Sequence, residues 1–257
     1  MAATEDDHEL AARLASGAGE VLLTLRSELL AGGAEPRTIK DRGDRASHDW
    51  LMAELSSDRP GDAVLSEEAT ASEERTSDRL DNARTWIIDP VDGTREYGEG
   101  RSDWAVHVAL VEGGQPVAAA VALPQLGEVH STADPAELPD PPGRLRVVVS
   151  RTRPPAEALA IAEALDAELV EMGSAGAKTM SILRGVADIY PHSGGQYEWD
   201  SCAPVAVARA AGLHCSRIDG SALEYNRPDP WLPDLLVCRP EHADRVVGVV
   251  ASFQGRA

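Results

Sequence analysis

The segment Trp86-Ile87-Ile88-Asp89-Pro90-Val91-Asp92-Gly93-Thr94 constrains the fold more than any other part of the chain. Ile87 and Ile88 read as the end of an apolar strand, and Pro90 fixes its own φ while driving Asp89 toward extended backbone. The chain must therefore turn directly after a buried strand, with two carboxylates three residues apart. Such a turn frees the Val91 carbonyl from ladder pairing and lets Asp89 and Asp92 converge. Gly93 permits close backbone approach, and Thr94 can open a helix whose N–H groups face an anion. Oxygen-only donors of this kind suit Mg²⁺, which takes a few carboxylates together with substrate phosphate.

Taken alone, Asp-Pro-Val-Asp-Gly-Thr is also an ordinary polar turn with an Asp or Thr cap. Its company argues for more. Leu65-Ser66-Glu67-Glu68 follows the short apolar run 63–65, again setting acids just past a strand, and Glu198-Trp199-Asp200-Ser201-Cys202-Ala203-Pro204 opens the apolar helical run 205–211. Three acidic strand or helix ends are thus expected at one site. Two unit charges about 4 Å apart at an effective dielectric of about 20 repel by roughly 4 kcal/mol, so such acids demand cations or protons.

At 257 residues the chain can bury a substantial core. Its formal net charge of -19 argues against a nucleic-acid polymer or an anionic membrane as partner. An acidic protein that acts on phosphate needs local positive charge, which bound Mg²⁺ would supply. Cys202, Cys215 and Cys238 are odd in number and lack paired metal-binding spacing, so they read as reduced, mostly buried thiols. Met1 to Asp7 lacks the basic and apolar regions of an export signal, and no apolar run approaches membrane-spanning length. The expectation is a cytoplasmic protein.

Leu10, Leu14, Val21, Leu22, Leu25 and Leu29 recur at helical spacing, and a second amphipathic helix is expected after Asp44 through Trp50, Leu51 and Leu55. Residues 103–110 and 116–123 read as strands joined by a hairpin at 112–115. This half reads as a mixed or antiparallel sheet covered by the two long helices. The stretch 132–143, with four prolines, is the expected boundary, giving an N-terminal α+β half, 1–135, and a C-terminal α/β half, 143–257. After it, 145–149, 156–165, 168–172, 175–183 and 187–190 alternate strand and helix. The acidic stretch 67–81, beyond its first residues, reads as a solvated loop. The seven histidines lack His-Glu-x-x-His or His-x-His spacing and read as surface or satisfied core residues. Gly173-Ser174-Ala175-Gly176 reads either as a phosphate cradle or as a plain helix cap. Lys178, one of only two lysines, falls in the first turn after it, where a cation opposes the helix dipole unless an anion compensates.

These motifs, in this order, resemble those of the lithium-sensitive, Mg²⁺-dependent sugar phosphatase superfamily that includes inositol monophosphatases, fructose-1,6-bisphosphatases and 3'(2'),5'-bisphosphate nucleotidases. The resemblance spans nearly the whole chain: an acidic pair after a strand, Asp-Pro-x-Asp-Gly-Thr, a Gly-Ser loop, then Trp-Asp opening a helix. It implies a mixed α+β and α/β fold of alternating helix and sheet layers, αβαβα. By this resemblance Glu67, Asp89 and the Val91 carbonyl match the ligands of one Mg²⁺ ion, while Asp89, Asp92 and Asp200 match those of a second. Asp44 matches the residue that helps hold a third ion through water, although Asp41 stands where the superfamily often has Thr. Glu67 and Thr94, with Asp44, are the implied catalytic groups that orient and deprotonate water. Asp92, Gly93, Thr94, Gly173, Ser174, Lys178 and Asp200 are the implied substrate-binding residues.

The Trp199-Asp200-Ser201-Cys202-Ala203-Pro204 and Leu223-Glu224-Tyr225-Asn226 segments and Lys178 resemble the bisphosphate nucleotidases most. Ser193 stands where inositol monophosphatases carry a glutamate for inositol hydroxyls. The implied reaction is therefore removal of the 3'-phosphate of adenosine 3',5'-bisphosphate, and of its sulfated form, with inositol or fructose phosphate hydrolysis as the alternative. The implied partner is a small phosphorylated substrate, and a homodimer is compatible. A haloacid-dehalogenase-type phosphatase would set its acids two residues apart rather than three and leave Glu67 and Asp200 without roles. A non-catalytic, metal-stabilised module would not need every ligand position to keep a competent side chain.

Overall fold

The computed structural model describes residues 5–69, 79–140 and 143–255. Most of the expected acidic loop, at 70–78, lies outside the described residues, as do Met1 to Thr4 and the prolines at 141 and 142. Two long helices open the chain, α1 (Glu5–Ala31) and α2 (Pro36–Asp58). The second starts at Pro36, earlier than the expected start after Asp44. Proline suits a first turn, where its missing N–H has no intrahelical partner to lose. The leading turns bury little beyond Ile39 and Gly43, so apolar periodicity there is weak.

The first sheet runs β1 (Ala63–Ser66), β2 (Arg84–Asp92), β3 (Ala105–Glu112), β4 (Gln115–Leu123) and β5 (Glu128–Ser131) in spatial order. β1 pairs parallel to β2 and the other pairs are antiparallel, which makes the sheet mixed. The short helix α3 (Thr94–Gly98) follows β2 directly. The second sheet has the order β7-β6-β8-β10-β9, built from β6 (Arg146–Ser150), β7 (Glu168–Met172), β8 (Ile189–Tyr197), β9 (His214–Ser216) and β10 (Trp231–Cys238). Between and after these strands lie α4 (Ala156–Leu165), α5 (Ala175–Leu183), α6 (Glu198–Ala210) and α7 (Ala243–Gln254). Among the described residues no helix is long and apolar enough to cross a membrane.

The alternation of side chains along each strand stacks these elements into layers. Trp86, Ile88, Val106, Val108 and Leu110 share one core with Leu14 and Leu22 of α1 and Leu51 of α2. Ile87, Ala105, Ala109 and Val121, from the other face, join Met180 of α5 and Ala203 and Val207 of α6. That same core takes in Val148, Tyr190, Leu235 and Val237 of the second sheet. Val147, Val149 and Leu236 turn to the outer helices, against Ile161 of α4 and Val246 and Val250 of α7. The result is the αβαβα layering, with α5 and α6 sandwiched between the sheets.

One irregularity places the acids. Asp89 pairs with His107 and Asp92 with Ala105, so β2 uses one more residue than β3 over this interval. An odd separation on a regular strand would point the two carboxylates to opposite faces. The extra residue forms a β-bulge, which accommodates Pro90, a residue unable to donate to a ladder.

Candidate active site

The bulge is closed by its own side chains. Asp89 Oδ1 accepts from the Val91 amide at 3.0 Å, and Thr94 Oγ1 donates to the Val91 carbonyl at 3.1 Å. Gly93 takes φ +84°, and a Cβ there would also meet Ser174 Cβ at 2.9 Å, so glycine is required on both counts. The Glu67 amide donates to the Ile88 carbonyl at 3.4 Å, which extends the β1–β2 pairing and sets Glu67 beside Asp89. Asp200 lies in the first turn of α6, where Oδ2 accepts from the Tyr197 amide at 2.6 Å.

Asp89, Asp92 and Asp200 each offer a carboxylate oxygen, and these oxygens all lie within 4.8 Å of one another. Glu67 joins them: its carboxyl hydrogen-bonds with that of Asp89 and feels the charge of Asp200. Glu67 keeps exposed surface, yet its carboxyl sits in a desolvated, acid-lined recess. Burial first, then Asp200, pushes it up to about 8. Asp200 rises to about 6 through burial and the nearby Asp92 charge, and Asp89 is raised well above the carboxylate range by burial and Glu67. Without a cation, protons take its place. Buried oxygen donors at this spacing, held together against their mutual repulsion, fit a hard divalent cation.

Asp92 behaves differently from its neighbours. Burial would raise it, but His107, Ser174 and Gly176 outweigh burial and hold it at about 2. Ser174 Oγ donates to Oδ2 at 2.5 Å, the Gly176 amide to Oδ2 at 2.6 Å and the Ala175 amide to Oδ1 at 3.1 Å. The Gly173 amide goes to Asp103 Oδ2 at 2.8 Å and that of Ser174 to the Asp103 carbonyl at 3.3 Å. Of the two readings of this loop, the cap is the one seen: Ser174 Oγ accepts from the Ala177 amide at 2.9 Å, and the amides of 173–176 hold the carboxylate of Asp92 and the side chain and carbonyl of Asp103.

Lys178 is buried, and its Nζ donates to the Gly173 carbonyl and lies 5.3 Å from the centre of the Tyr190 ring. Burial lowers its pKa, against the pull of Asp92, Glu96 and Asp200. It lines a recess with Asp92, Gly93, Glu96, His192 and Asp200. Asp44, on α2, has its carboxyl hydrogen-bonded to Thr94, and burial followed by the charges of Glu68 and Asp41 pushes it up to about 7.

His107, which the sequence presents as an ordinary core or surface histidine, lies directly behind Asp92. It is fully buried in β3, with Nδ1 2.9 Å from the Trp199 carbonyl and Nε2 3.1 Å from Asp92 Oδ2. The second contact is close but falls outside hydrogen-bond alignment. Burial lowers its pKa, but Asp92 outweighs this and raises it. No local spacing announces the residue, because its partners come from β2 and α6.

Ser193 Oγ donates to Glu157 Oε2 at 2.7 Å and so is engaged by α4. At the entry to α6, the stacked Tyr197 and Trp199 rings lie 4.7 Å apart, and buried Glu198 accepts the amides of Asn226 and Arg227 at 2.7 and 2.9 Å.

A protein of Mycobacterium tuberculosis, 3'-phosphoadenosine 5'-phosphate phosphatase, is 50% identical over 247 residues, covering 91% of this chain and 89% of its own length. The 3'(2'),5'-bisphosphate nucleotidase CysQ of Escherichia coli O157:H7 is 30% identical over 241 residues, covering 86% of this chain and 94% of its own. Among solved structures, CysQ of Bacteroides thetaiotaomicron, a bacterial member of the inositol monophosphatase family, superposes with a TM-score of 0.75. It is 26% identical, with 91% of this chain and 97% of the other covered. The family model for inositol monophosphatases matches residues 5–138 and 142–252. With the αβαβα layers and the buried acids at the end of β2 in their expected order, the chain belongs to the inositol monophosphatase family, which is in general Mg²⁺-dependent.

Proposed function

We propose that this chain is a Mg²⁺-dependent phosphomonoesterase that removes the 3'-phosphate of adenosine 3',5'-bisphosphate, with its sulfated form as a second substrate. The observation that carries this reading is the 50% identity to a 3'-phosphoadenosine 5'-phosphate phosphatase over 91% of the chain. Two Mg²⁺ ions are assigned to Glu67, Asp89, the Val91 carbonyl, Asp92 and Asp200, and Asp44 supports a third through water. When bound, the ions supply positive charge that favours ionisation of water and neutralises the departing oxygen.

The chain's own groups do the rest. Glu67, whose carboxyl is hydrogen-bonded to that of Asp89 at the end of β1, receives the water proton. Thr94 Oγ1, placed between the Val91 carbonyl and Asp44, orients that water. The Gly93 and Thr94 amides, at the start of α3, hold the phosphoryl oxygens. Asp200 and Asp92 flank the leaving 3'-oxygen, and Lys178 faces the second phosphate. Ser174 contributes indirectly, by fixing Asp92, and Gly173 by anchoring Lys178 through its carbonyl. In-line displacement by water yields adenosine 5'-phosphate and inorganic phosphate.

The test is kcat/KM measured with Mg²⁺ for adenosine 3',5'-bisphosphate, its sulfated form, inositol 1-phosphate and fructose 1,6-bisphosphate. The nucleotide is expected to lead by at least tenfold. Preference for either sugar phosphate overturns the assignment in favour of the alternative.

A further inference from the structure

We propose that His107 is a positioning residue that fixes the separation between Asp92 and the first turn of α6, and thereby sets the affinity of the acidic site for Mg²⁺. This rests on the metal reading above. His107 occupies a β3 position flanked by Ala105 and Ala109, both fully buried in the apolar core between the sheets. An apolar side chain would fit that position without the cost of burying two ring nitrogens. Each nitrogen instead meets an acceptor belonging to the site: Nε2 the carboxylate of Asp92, Nδ1 the carbonyl of Trp199, the residue before Asp200.

Asp92 reaches the site from β2 and Asp200 from the first turn of α6, and the ring spans Asp92 and the Trp199 carbonyl. Space around the ring is already matched to it. A Cβ at Gly176 would lie 2.1 Å from Nε2, so the loop that donates to Asp92 also closes directly on the imidazole. Side chains that orient metal ligands from behind typically change metal affinity or activity 10- to 100-fold when lost.

Asn places a donor near the position of Nδ1, and Gln near that of Nε2, so the two contacts can be separated. Mg²⁺ affinity is measured calorimetrically on wild type, His107→Asn and His107→Gln, beside kcat/KM and the melting temperature in chelator. His107→Asn is expected to weaken Mg²⁺ binding about 10- to 100-fold, and His107→Gln to recover most of it. Affinity within threefold of wild type for His107→Asn overturns the proposal, as do equal losses in both variants that track their melting temperatures. If the variants do not fold, ¹⁵N spectra of the wild-type imidazole decide: Mg²⁺ must shift the His107 ring resonances, and unshifted resonances overturn the proposal. Wild type that binds no Mg²⁺ overturns the metal reading itself, and this proposal with it.

Discussion

Ser47 Oγ donates to the Pro90 carbonyl at 2.8 Å, tying the middle of α2 to the bulge that carries Asp89 and Asp92. Both residues are buried. Ser47→Ala leaves that oxygen without its partner, a cost of about 1–3 kcal/mol. For a chain of this size the melting temperature should fall by roughly 2–10 °C. A shift under about 1 °C in calorimetry would show that the bond contributes no net stability.

Asp89→Asn should remove nearly all activity and preserve the fold. The amide keeps the shape of a buried side chain and removes a charge that faces Glu67, Asp92 and Asp200. In chelator its melting temperature should equal or exceed that of wild type, while kcat falls by far more than tenfold. Retaining a tenth of kcat, a loss of only about 1.4 kcal/mol, refutes the role given to Asp89.

The metal-free protein should lose stability as pH rises through the neutral range. Glu67 at about 8, Asp44 at about 7 and Asp200 at about 6 all bind protons more tightly folded than unfolded. Their contribution is complete below the unfolded carboxylate pKa of about 4 and fades as pH climbs through these folded values. Asp92, held at about 2, acts oppositely and contributes above about pH 4. Melting temperatures in chelator from pH 5 to 8.5 test the slope, and a rise across that range contradicts it.

Mg²⁺ should reverse this trend, because the cation replaces the protons. The melting-temperature gain at fixed Mg²⁺ should grow from pH 5.5 to 8. Chelator should abolish phosphate release, and Li⁺ should inhibit it by replacing one ion without matching its charge. Phosphate release indifferent to chelator would eliminate the metal mechanism.

Lys178→Ala should reduce kcat/KM for adenosine 3',5'-bisphosphate about 10- to 100-fold more than for inositol 1-phosphate, as expected for loss of a charge-assisted contact. Part of the total loss will be common to both substrates, since Nζ also anchors the Gly173 carbonyl. Equal loss for both substrates would reduce Lys178 to that anchoring role.

The parts of the molecule legible in the sequence are those with local causes. α4, β7 and α5 begin and end where apolar periodicity begins and ends, at 156–165, 168–172 and 175–183. The strand that carries Asp89 was legible from Ile87, Ile88 and the proline that follows. β5 and β9 escaped, being short strands at sheet edges with few buried residues, and β10 and α7 lie beyond 205–211, the last apolar run bounded from the sequence. The first turns of α2 escaped because they bury so little. The Gly-Ser loop was visible as a cap, but the carboxylate it holds arrives from 82 positions earlier. His107 was invisible for the same reason, since its partners lie 15 residues before it and 92 after. Sequence reports which groups a segment offers, while tertiary structure decides which of them meet.

The bulge at Pro90 and Val91 also makes the site a matter of parity. A strand counts its faces in twos, and this one carries an odd interval between two acids that must look the same way. Gain of a single residue between Asp89 and Asp92 would shift the parity and turn one carboxylate out of the cluster, and loss of one would remove the bulge that Asp89 and Thr94 close. Variation in natural relatives at these positions should therefore be confined to substitutions, with insertions and deletions absent.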